Sequence, residues 1–240
     1  MPRTRRKFNE TRSVAIEPGF VRTADGSALI SIGETRVICT ASVTTDVPRW
    51  MADSGRGWVT AEYGMLPAST GQRKKRDKGK QDGRSVEIQR LIGRSLRCAI
   101  DLELLGERSV YVDCDVLQAD GGTRCAAITG GYVALHLALA KLVDAGDLER
   151  LPLTTSVAAV SAGIVAGEPL LDLEYTEDSQ ADVDANVVMT GDDGLVEVQA
   201  TAERTPLSKA SLDELLALAG KGIAELREAQ AAAVGGTLPG

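Results

Sequence analysis

Residues 126–143 are the most apolar stretch of the chain, and Lys141 is their only charged residue. At 3.6 residues per turn, this length allows about five turns of α-helix. A helix with apolar residues on nearly every side has no face for water and must be covered all round. The stretch therefore predicts a central helix between two layers of β-sheet. His136, the only histidine, lies within it and is expected to be a buried, hydrogen-bonded core residue and not a catalyst.

The segment before this helix predicts a strand and then a turn with its own chemistry. Residues 109–117 alternate apolar and polar side chains, which is typical of a strand with one buried face. In the turn Asp120-Gly121-Gly122-Thr123-Arg124, the glycines permit positive φ or close backbone approach, and Thr123 can cap the helix. Free N–H groups beside Arg124 would suit an anion, most naturally phosphate. The alternative is a tight turn with Arg124 as an ordinary surface charge.

The rest of the pattern predicts two antiparallel β-meanders that flank the central helix, hence an α+β fold with a duplicated unit of sheet and helix. Residues 44–83 lack clear periodicity and are expected to form a long irregular segment. One domain is expected over residues 1–240, with a basic, partly mobile arm at 1–12 and a frayed tail at 231–240. Strands are expected at residues 28–32, 35–43, 156–161, 163–165, 169–175, 185–190 and 195–201. Further helices are expected from Gly83-Arg84-Ser85 to about Leu102 and from a capping box at Ser211.

Composition places the chain among ordinary globular proteins. Of its 240 residues, 43% are hydrophobic and 25% charged, and no uncharged apolar run reaches the length of a membrane span. The basic start is not followed by an apolar region, so no secretory signal is expected and the cytoplasm is the expected compartment. Cys39, Cys98, Cys114 and Cys125 are predicted to be reduced core residues, because they are widely spaced in apolar surroundings.

The net charge of -7 divides unevenly along the chain. Residues 1–100 hold 19 basic and 10 acidic side chains, whereas residues 101–240 hold 8 and 24. Residues 73–80 contain six basic side chains in eight, which favours contact with a polyanion such as RNA; the alternative is a solvated loop without a partner. Trp58 and Tyr63 lie nearby as possible base-stacking groups, although core positions fit them equally well.

A cluster of carboxylates lies between two predicted strands of the second meander. It comprises Glu174, Glu177, Asp178, Asp182 and Asp184. Carboxylates this close repel one another unless a cation or solvent compensates, and hard oxygen ligands suit Mg²⁺. The alternative is a solvated acidic loop. Together with a phosphate turn and a basic segment, however, the cluster indicates phosphoryl-transfer chemistry on a nucleic acid.

Five runs of sequence resemble the bacterial ribonuclease PH family. They are GWVTAEYGMLPAST (57–70), GRSVEIQRLIGRSLR (83–97), DCDVLQADGGTR (113–124), DLEYTEDSQADVDANVVMT (172–190) and EVQATAE (197–203). The resemblance implies an α+β fold with two mixed sheets and helices between and outside them. It also implies a phosphorolytic 3′→5′ exoribonuclease that trims tRNA precursors and other RNA 3′ ends. Inorganic phosphate would be the nucleophile, nucleoside diphosphates the products, and a homo-hexamer, a trimer of dimers, the assembly.

The same resemblance implies roles for individual residues. Phosphate binding is carried over to Arg84, Gly122, Thr123 and Arg124, and catalysis with Mg²⁺ binding to Asp178 and Asp184. Asp178 is the expected proton donor and Asp184 the metal ligand, although these roles are exchangeable. A non-catalytic RNA-binding ring subunit is the rival interpretation, and such a subunit is expected to lack the aspartates or the phosphate arginine. The family's tRNA-contacting loop corresponds to Arg73, Lys74, Lys75, Arg76, Lys78 and Lys80.

Overall fold

Two β-sheets enclose the long helix α3 (Thr123–Asp144) in the computed structural model, which describes residues 3, 6–76, 82–203 and 206–240. Their strands are β1 (Val14–Pro18), β2 (Gly26–Ile32), β3 (Thr35–Thr44), β4 (Trp58–Met65), β5 (Ser109–Gln118), β6 (Val157–Val165), β7 (Glu168–Leu171), β8 (Val183–Thr190) and β9 (Leu195–Ala202). The other helices are α1 (Gly83–Arg97), α2 (Leu102–Leu105), α4 (Tyr175–Asp178) and α5 (Lys209–Val234), and a short 3-10 turn covers Arg49–Met51.

The first sheet has the strand order β1-β2-β3-β5-β4 and is mixed. All its pairs are antiparallel except β4 with β5, which run parallel from Trp58 beside Ser109 to Met65 beside Val116. The prediction of an irregular segment over 44–83 was therefore wrong for β4, where Val59, Ala61 and Tyr63 alternate into the core. Parallel neighbours need a crossover connection, and α1 lies in it.

The second sheet has the order β7-β6-β8-β9 and is antiparallel throughout, so only one of the two predicted mixed sheets is mixed. Its strand β6 is continuous where two short strands were expected. Gly163 does not break it: a Cβ there would lie 2.4 Å from the Val183 carbonyl oxygen, so the glycine permits close approach of the neighbouring strand.

Helix α3 occupies the predicted place between the sheets. Its Thr129 Oγ1 donates to the carbonyl of Ala159 on β6 and accepts from the Ala159 N–H, and its other side packs on β2, β3 and β5. Gly222 of α5 packs against Val160 of β6. Because side chains alternate along a strand, Val160 points to the face opposite that of its neighbour Ala159. Helix α5 therefore covers the outside of the second sheet, and the predicted arrangement of helices between and outside the sheets is confirmed.

By length and composition α3 could cross a membrane, the one such helix in the described part of the chain. However, 67% of its apolar window is buried inside the fold. His136 is half-buried, and its buried Nδ1 atom has no hydrogen-bond partner among the described residues. The expected hydrogen bond is therefore absent from that atom, and burial lowers the pKa of the imidazole.

Several helix ends differ from the sequence predictions because side-chain caps lie elsewhere. Helix α1 stops at Arg97, and Asp101 starts the separate helix α2 by accepting from the N–H groups of Glu103 and Leu104. Helix α5 begins after Ser208, whose Oγ accepts from Ser211 N–H, so the predicted capping box at Ser211 was wrong.

The two chain ends and one cysteine also differ from expectation. Helix α5 continues to Val234, and beyond it the Pro239 carbonyl accepts from Ser156 N–H, so the tail is not simply frayed. At the other end, the Phe8 carbonyl accepts from Leu171 N–H, which docks the supposed arm on the second sheet. Cys98 is exposed, whereas the other three cysteines are buried as predicted.

Candidate active site

A cavity of about 690 Å³ opens where the start of α3 meets the second sheet. Residues from both halves of the chain line it, because α3 lies between the two sheets. The lining includes all six predicted phosphate-binding and catalytic residues: Arg84, Gly122, Thr123, Arg124, Asp178 and Asp184.

The turn at the start of α3 has the glycine geometry that the sequence indicated. Gly121 and Gly122 have φ of 77° and 66°, and a Cβ on Gly121 would lie 2.3 Å from the Leu173 carbonyl oxygen. Gly122 is the N-cap, so the expected side-chain cap by Thr123 was wrong. The Gly121 carbonyl accepts from Thr35 Oγ1 at 2.7 Å. The first N–H groups of α3 have no partner within the helix and are available to an anion.

Thr123 accepts a hydrogen bond from a residue of the first sheet. Its Oγ1 accepts a hydrogen bond of 2.8 Å from the Tyr63 hydroxyl, and both side chains are buried. Tyr63 thus occupies a core position, and the alternative of base stacking is wrong for it.

Arg124 is held at the cavity wall by polar partners that the sequence analysis did not single out. Its Nη1 donates to Gln199 Oε1 at 2.6 Å and lies 3.5 Å from Glu87 Oε1. Gln199 Nε2 in turn donates to the same Glu87 oxygen at 2.9 Å. The Arg124 side chain is only 17% exposed, so its charge acts in a partly desolvated site. Arg84 approaches from the second residue of α1 and is exposed.

Asp178 and Asp184 come together although they belong to different elements. Asp178 ends the short helix α4, and Asp184 is the second residue of β8. Burial raises the pKa of Asp184 to about 6, and the neighbouring charge and hydrogen bond of Asp178 act in the same direction. Arg124 and Arg84 oppose this rise, which places both arginines in electrostatic reach of the pair. A carboxyl that holds a proton near neutral pH, as the raised pKa of Asp184 allows, can serve as an acid or base.

The pair also fits a hydrated Mg²⁺ ion better than a fully protein-bound metal. Within residues 3, 6–76, 82–203 and 206–240, no group of three or more His, Cys, Asp or Glu side chains converges on a metal position. Mg²⁺ commonly uses only one or two carboxylates and completes its shell with water and substrate phosphate. Glu177, also in the acidic cluster, instead pairs with Arg3 at 2.6 Å.

Among the described residues of the basic segment, one lies in the cavity wall. Lys74 lines the cavity, and its backbone N–H donates to the Pro67 carbonyl at 2.8 Å. Arg73, Lys75 and Arg76 are exposed beside it. Lys78 and Lys80 lie outside the described residues.

Sequence reasoning missed further residues at the site. Asn186 and Ser161 line the cavity, and Asn186 follows Asp184 by two residues on β8. Because side chains alternate along a strand, that spacing could have placed Asp184 and Asn186 on one face.

Arg12 was assigned to the basic arm, yet its Nη2 pairs with Asp172 Oδ1 at 2.6 Å and its Nη1 binds the Asp120 carbonyl oxygen. No local pattern signals that contact, since the partners lie far apart in the chain.

Comparison with known proteins decides the family. Residues 10–140 match the 3′ exoribonuclease family, domain 1, and residues 155–222 match domain 2 of the same family. The chain belongs to the 3′ exoribonuclease family. Ribonuclease PH of Roseobacter denitrificans is 58% identical over 230 residues, covering 95% of this chain and 97% of that protein. Ribonuclease PH of Syntrophomonas wolfei is 57% identical over 220 residues, covering 91% and 92%. The resemblance inferred from the sequence runs is thereby confirmed.

Solved structures of other proteins have the same fold as this chain. A structure described as the Archaeoglobus fulgidus exosome with RNA bound to the active site has a TM-score of 0.77 at 27% identity and covers 93% of this chain and 90% of that chain. Rice Rrp46 has a TM-score of 0.76 at 17% identity and covers 94% and 96%. The rice protein shows the shared fold alone.

Proposed function

We propose that this chain is a phosphate-dependent 3′→5′ exoribonuclease that trims the 3′ ends of tRNA precursors and other RNAs and releases nucleoside diphosphates. The observation that carries the proposal is the single cavity that combines Arg84, Thr123 and Arg124 with the Asp178–Asp184 pair. Relatives that are 55–58% identical and named ribonuclease PH support it.

The reaction transfers the terminal nucleotidyl group to phosphate. Arg84, Arg124 and the N–H groups at the start of α3 hold inorganic phosphate in line with the last phosphodiester. A phosphate oxygen bonds to that phosphorus, the bond to the departing 3′ oxygen breaks, and the Asp178–Asp184 pair supplies the proton that this oxygen needs. When bound by the two carboxylates, Mg²⁺ would neutralise charge on the reacting phosphoryl oxygens.

Omitting phosphate tests this function most directly. RNA labelled in its last nucleotide is expected to remain intact in phosphate-free buffer, because the cavity then holds no nucleophile. With phosphate, the label should appear as nucleoside diphosphate, measured by thin-layer chromatography. Release of nucleoside monophosphate at the same rate in both buffers would identify a hydrolase and contradict the proposal.

The RNA path is proposed to follow the basic segment at residues 73–80 into the cavity. Arg73, Lys75 and Arg76 are exposed next to Lys74, which lines the cavity, so their charges are free to contact phosphates.

Changing Arg73, Lys75 and Arg76 to Gln should weaken RNA binding and flatten its salt dependence. The slope of log K against log salt should fall by roughly 0.7 per lost contact with single-stranded RNA, which fluorescence anisotropy measures. The matched control changes three exposed arginines that do not line the cavity, Arg22, Arg56 and Arg150. An equal change of slope in both variants would place the RNA path elsewhere.

The ring assembly is part of the same proposal. The similarity to the Archaeoglobus fulgidus exosome structure supports an oligomer. The side chains of Trp50 and Leu195 are 69% and 55% exposed, and they form apolar surface that neighbouring subunits could cover. A hexamer of 25.3 kDa chains is expected by light scattering. A monomer at micromolar concentration would contradict it.

The rival function, a non-catalytic RNA-binding subunit, fits the site less well. Such a subunit needs neither the paired carboxyls nor the phosphate arginines, and this cavity contains both. The high identity to proteins named ribonuclease PH likewise favours the enzyme.

A further inference from the structure

Tyr63 places a buried hydroxyl directly behind the start of α3. The residue lies on β4 with 4% of its surface exposed, and its Oη is 2.8 Å from Thr123 Oγ1. Thr123 lines the cavity, whereas Tyr63 does not. The phenol can therefore act on a bound molecule only through the threonine.

The number of available acceptors determines whether the Tyr63 or the Thr123 hydroxyl donates in this bond. Thr123 Oγ1 is the only hydrogen-bond acceptor of the Tyr63 hydroxyl within the described parts of the chain. A buried O–H group without an acceptor is costly, so the phenol proton must point at Thr123. The proton of Thr123 is then not needed for this bond and can point into the cavity.

The surroundings keep the phenol in its donating form. Burial raises the pKa of Tyr63 above its ordinary value, and the hydrogen bond with Thr123 and the charges of Arg84 and Arg124 oppose that rise. Tyr63 thus remains protonated at neutral pH within reach of both arginines. Arg84 of α1 and the neighbouring Thr123 and Arg124 of α3 thus line one cavity, and Tyr63 supports the threonine from behind.

We propose that Tyr63 is a positioning residue for the attacking phosphate: it fixes Thr123 Oγ1 as an acceptor, so that the Thr123 hydroxyl donates to a phosphate oxygen. This inference rests on the proposed function, since it assigns phosphate to the cavity. It adds a specificity element as well, because the threonine hydroxyl becomes an obligate donor that favours an anion over a hydrogen-bond donor at this position.

Tyr63→Phe retains the ring and removes only the hydroxyl. The KM for inorganic phosphate is expected to rise about three- to tenfold, the value of one ordinary hydrogen bond. The KM for RNA and kcat at saturating phosphate should stay within about twofold. Tyr132→Phe is the matched control, because it removes another buried phenol, bonded to the Thr155 carbonyl outside the cavity, and should leave the phosphate KM unchanged.

A mutant cycle separates this inference from the proposed function. Thr123→Val should raise the KM for phosphate, whereas Thr123→Ser, which keeps the hydroxyl, should leave it at the parental value. Adding Tyr63→Phe to Thr123→Val should cause no further rise. If Thr123→Val and Arg124→Gln both leave the phosphate KM unchanged, the proposed phosphate site fails. If Thr123→Val raises the phosphate KM and Tyr63→Phe does not, only the role of Tyr63 is overturned. The same conclusion follows if the increases in KM caused by Thr123→Val and Tyr63→Phe multiply fully in the double variant.

Ring-fluorinated tyrosine at position 63 gives a second readout that does not depend on removing the hydroxyl. Fluorine lowers the phenol pKa, so the ionised ring should stop donating at a lower pH than in the parent enzyme. The phosphate KM of this enzyme is expected to rise with pH within a range where the parent is constant. Identical pH profiles would overturn the positioning role.

Discussion

Asp184→Asn is expected to abolish turnover without destabilising the protein. The substitution removes a carboxyl whose raised pKa lets it carry a proton near neutral pH, and it leaves an isosteric amide that cannot exchange one. Loss of a positioned acid or base typically lowers kcat by about 10²–10⁴-fold. Nucleoside diphosphate release at saturating RNA and phosphate measures the effect, and Asp213→Asn, on the exposed face of α5, is the control.

The difference in stability between this variant and the parent should depend on pH in a specific direction. Because the pKa of Asp184 is raised from 3.8 to about 6 in the folded state, the folded chain binds more protons than the unfolded chain between these values. The free energy of unfolding therefore falls as pH rises through this window, by at most about 3 kcal/mol. Asp184→Asn removes this cost, so its Tm should exceed the parent's at neutral pH and match it below about pH 4.

Three outcomes would contradict this account of the aspartate pair. A variant with parental kcat would remove Asp184 from the chemistry. A gain in Tm that persists at low pH would show that the gain does not come from the buried charge. A variant that melts lower at neutral pH would indicate unfolding as the cause of lost activity.

Asp172→Asn is expected to cost far more stability than any change to an exposed ion pair. The Asp172 carboxylate accepts from the backbone N–H, Nε and Nη2 of Arg12 at 2.7, 2.9 and 2.6 Å, and Arg6 Nη1 lies 3.4 Å away. Burial acts to lower the pKa of Arg12. The hydrogen bond and charge of Asp172, together with the charges of Asp120 and Glu174, more than offset this effect, so the pKa is raised. Asparagine keeps the shape and tolerates the positive φ of 52° at this position, so the substitution isolates the charge.

The expected loss is about 3–5 kcal/mol, because breaking a buried pair leaves its partner charge uncompensated. In a chain of this size it corresponds to a fall in Tm of roughly 6–20 °C, measured by calorimetry. Lys141→Gln is the control: it breaks the pair with Asp25, whose side chains are 61% and 37% exposed, and should cost under about 1 kcal/mol.

A double-mutant cycle then tests the coupling. The loss in Arg12→Met combined with Asp172→Asn should be smaller than the sum of the single losses, because the double variant leaves neither charge alone. Equal Tm values for Asp172→Asn and Lys141→Gln would contradict a stabilising role for the buried pair. Since Arg12 also binds the carbonyl of Asp120, the destabilised variants should bind phosphate more weakly wherever they remain folded.

The sequence predicted the fold best where one segment carries its own signal. The apolar stretch at 126–143 requires cover on all sides, and α3 lies between two sheets as that requirement demands. The prediction from sequence failed for β4. The glycines and charges around Trp58–Met65 obscure this strand, and its partner β5 comes only after the intervening helix. Parallel pairing of this kind leaves no turn signal between the strands.

The sequence by itself determined the residues whose chemistry is local. The glycine turn with Arg124, the closely spaced Asp178 and Asp184, and the basic run at 73–80 each follow from neighbouring residues. Only the tertiary structure decided which groups meet: Tyr63 with Thr123, Arg124 with Gln199, and the Arg12–Asp172 pair. The physical reason is that contacts between distant segments depend on how strands and helices pack, and burial, which raises the pKa of Asp184, exists only after that packing is complete.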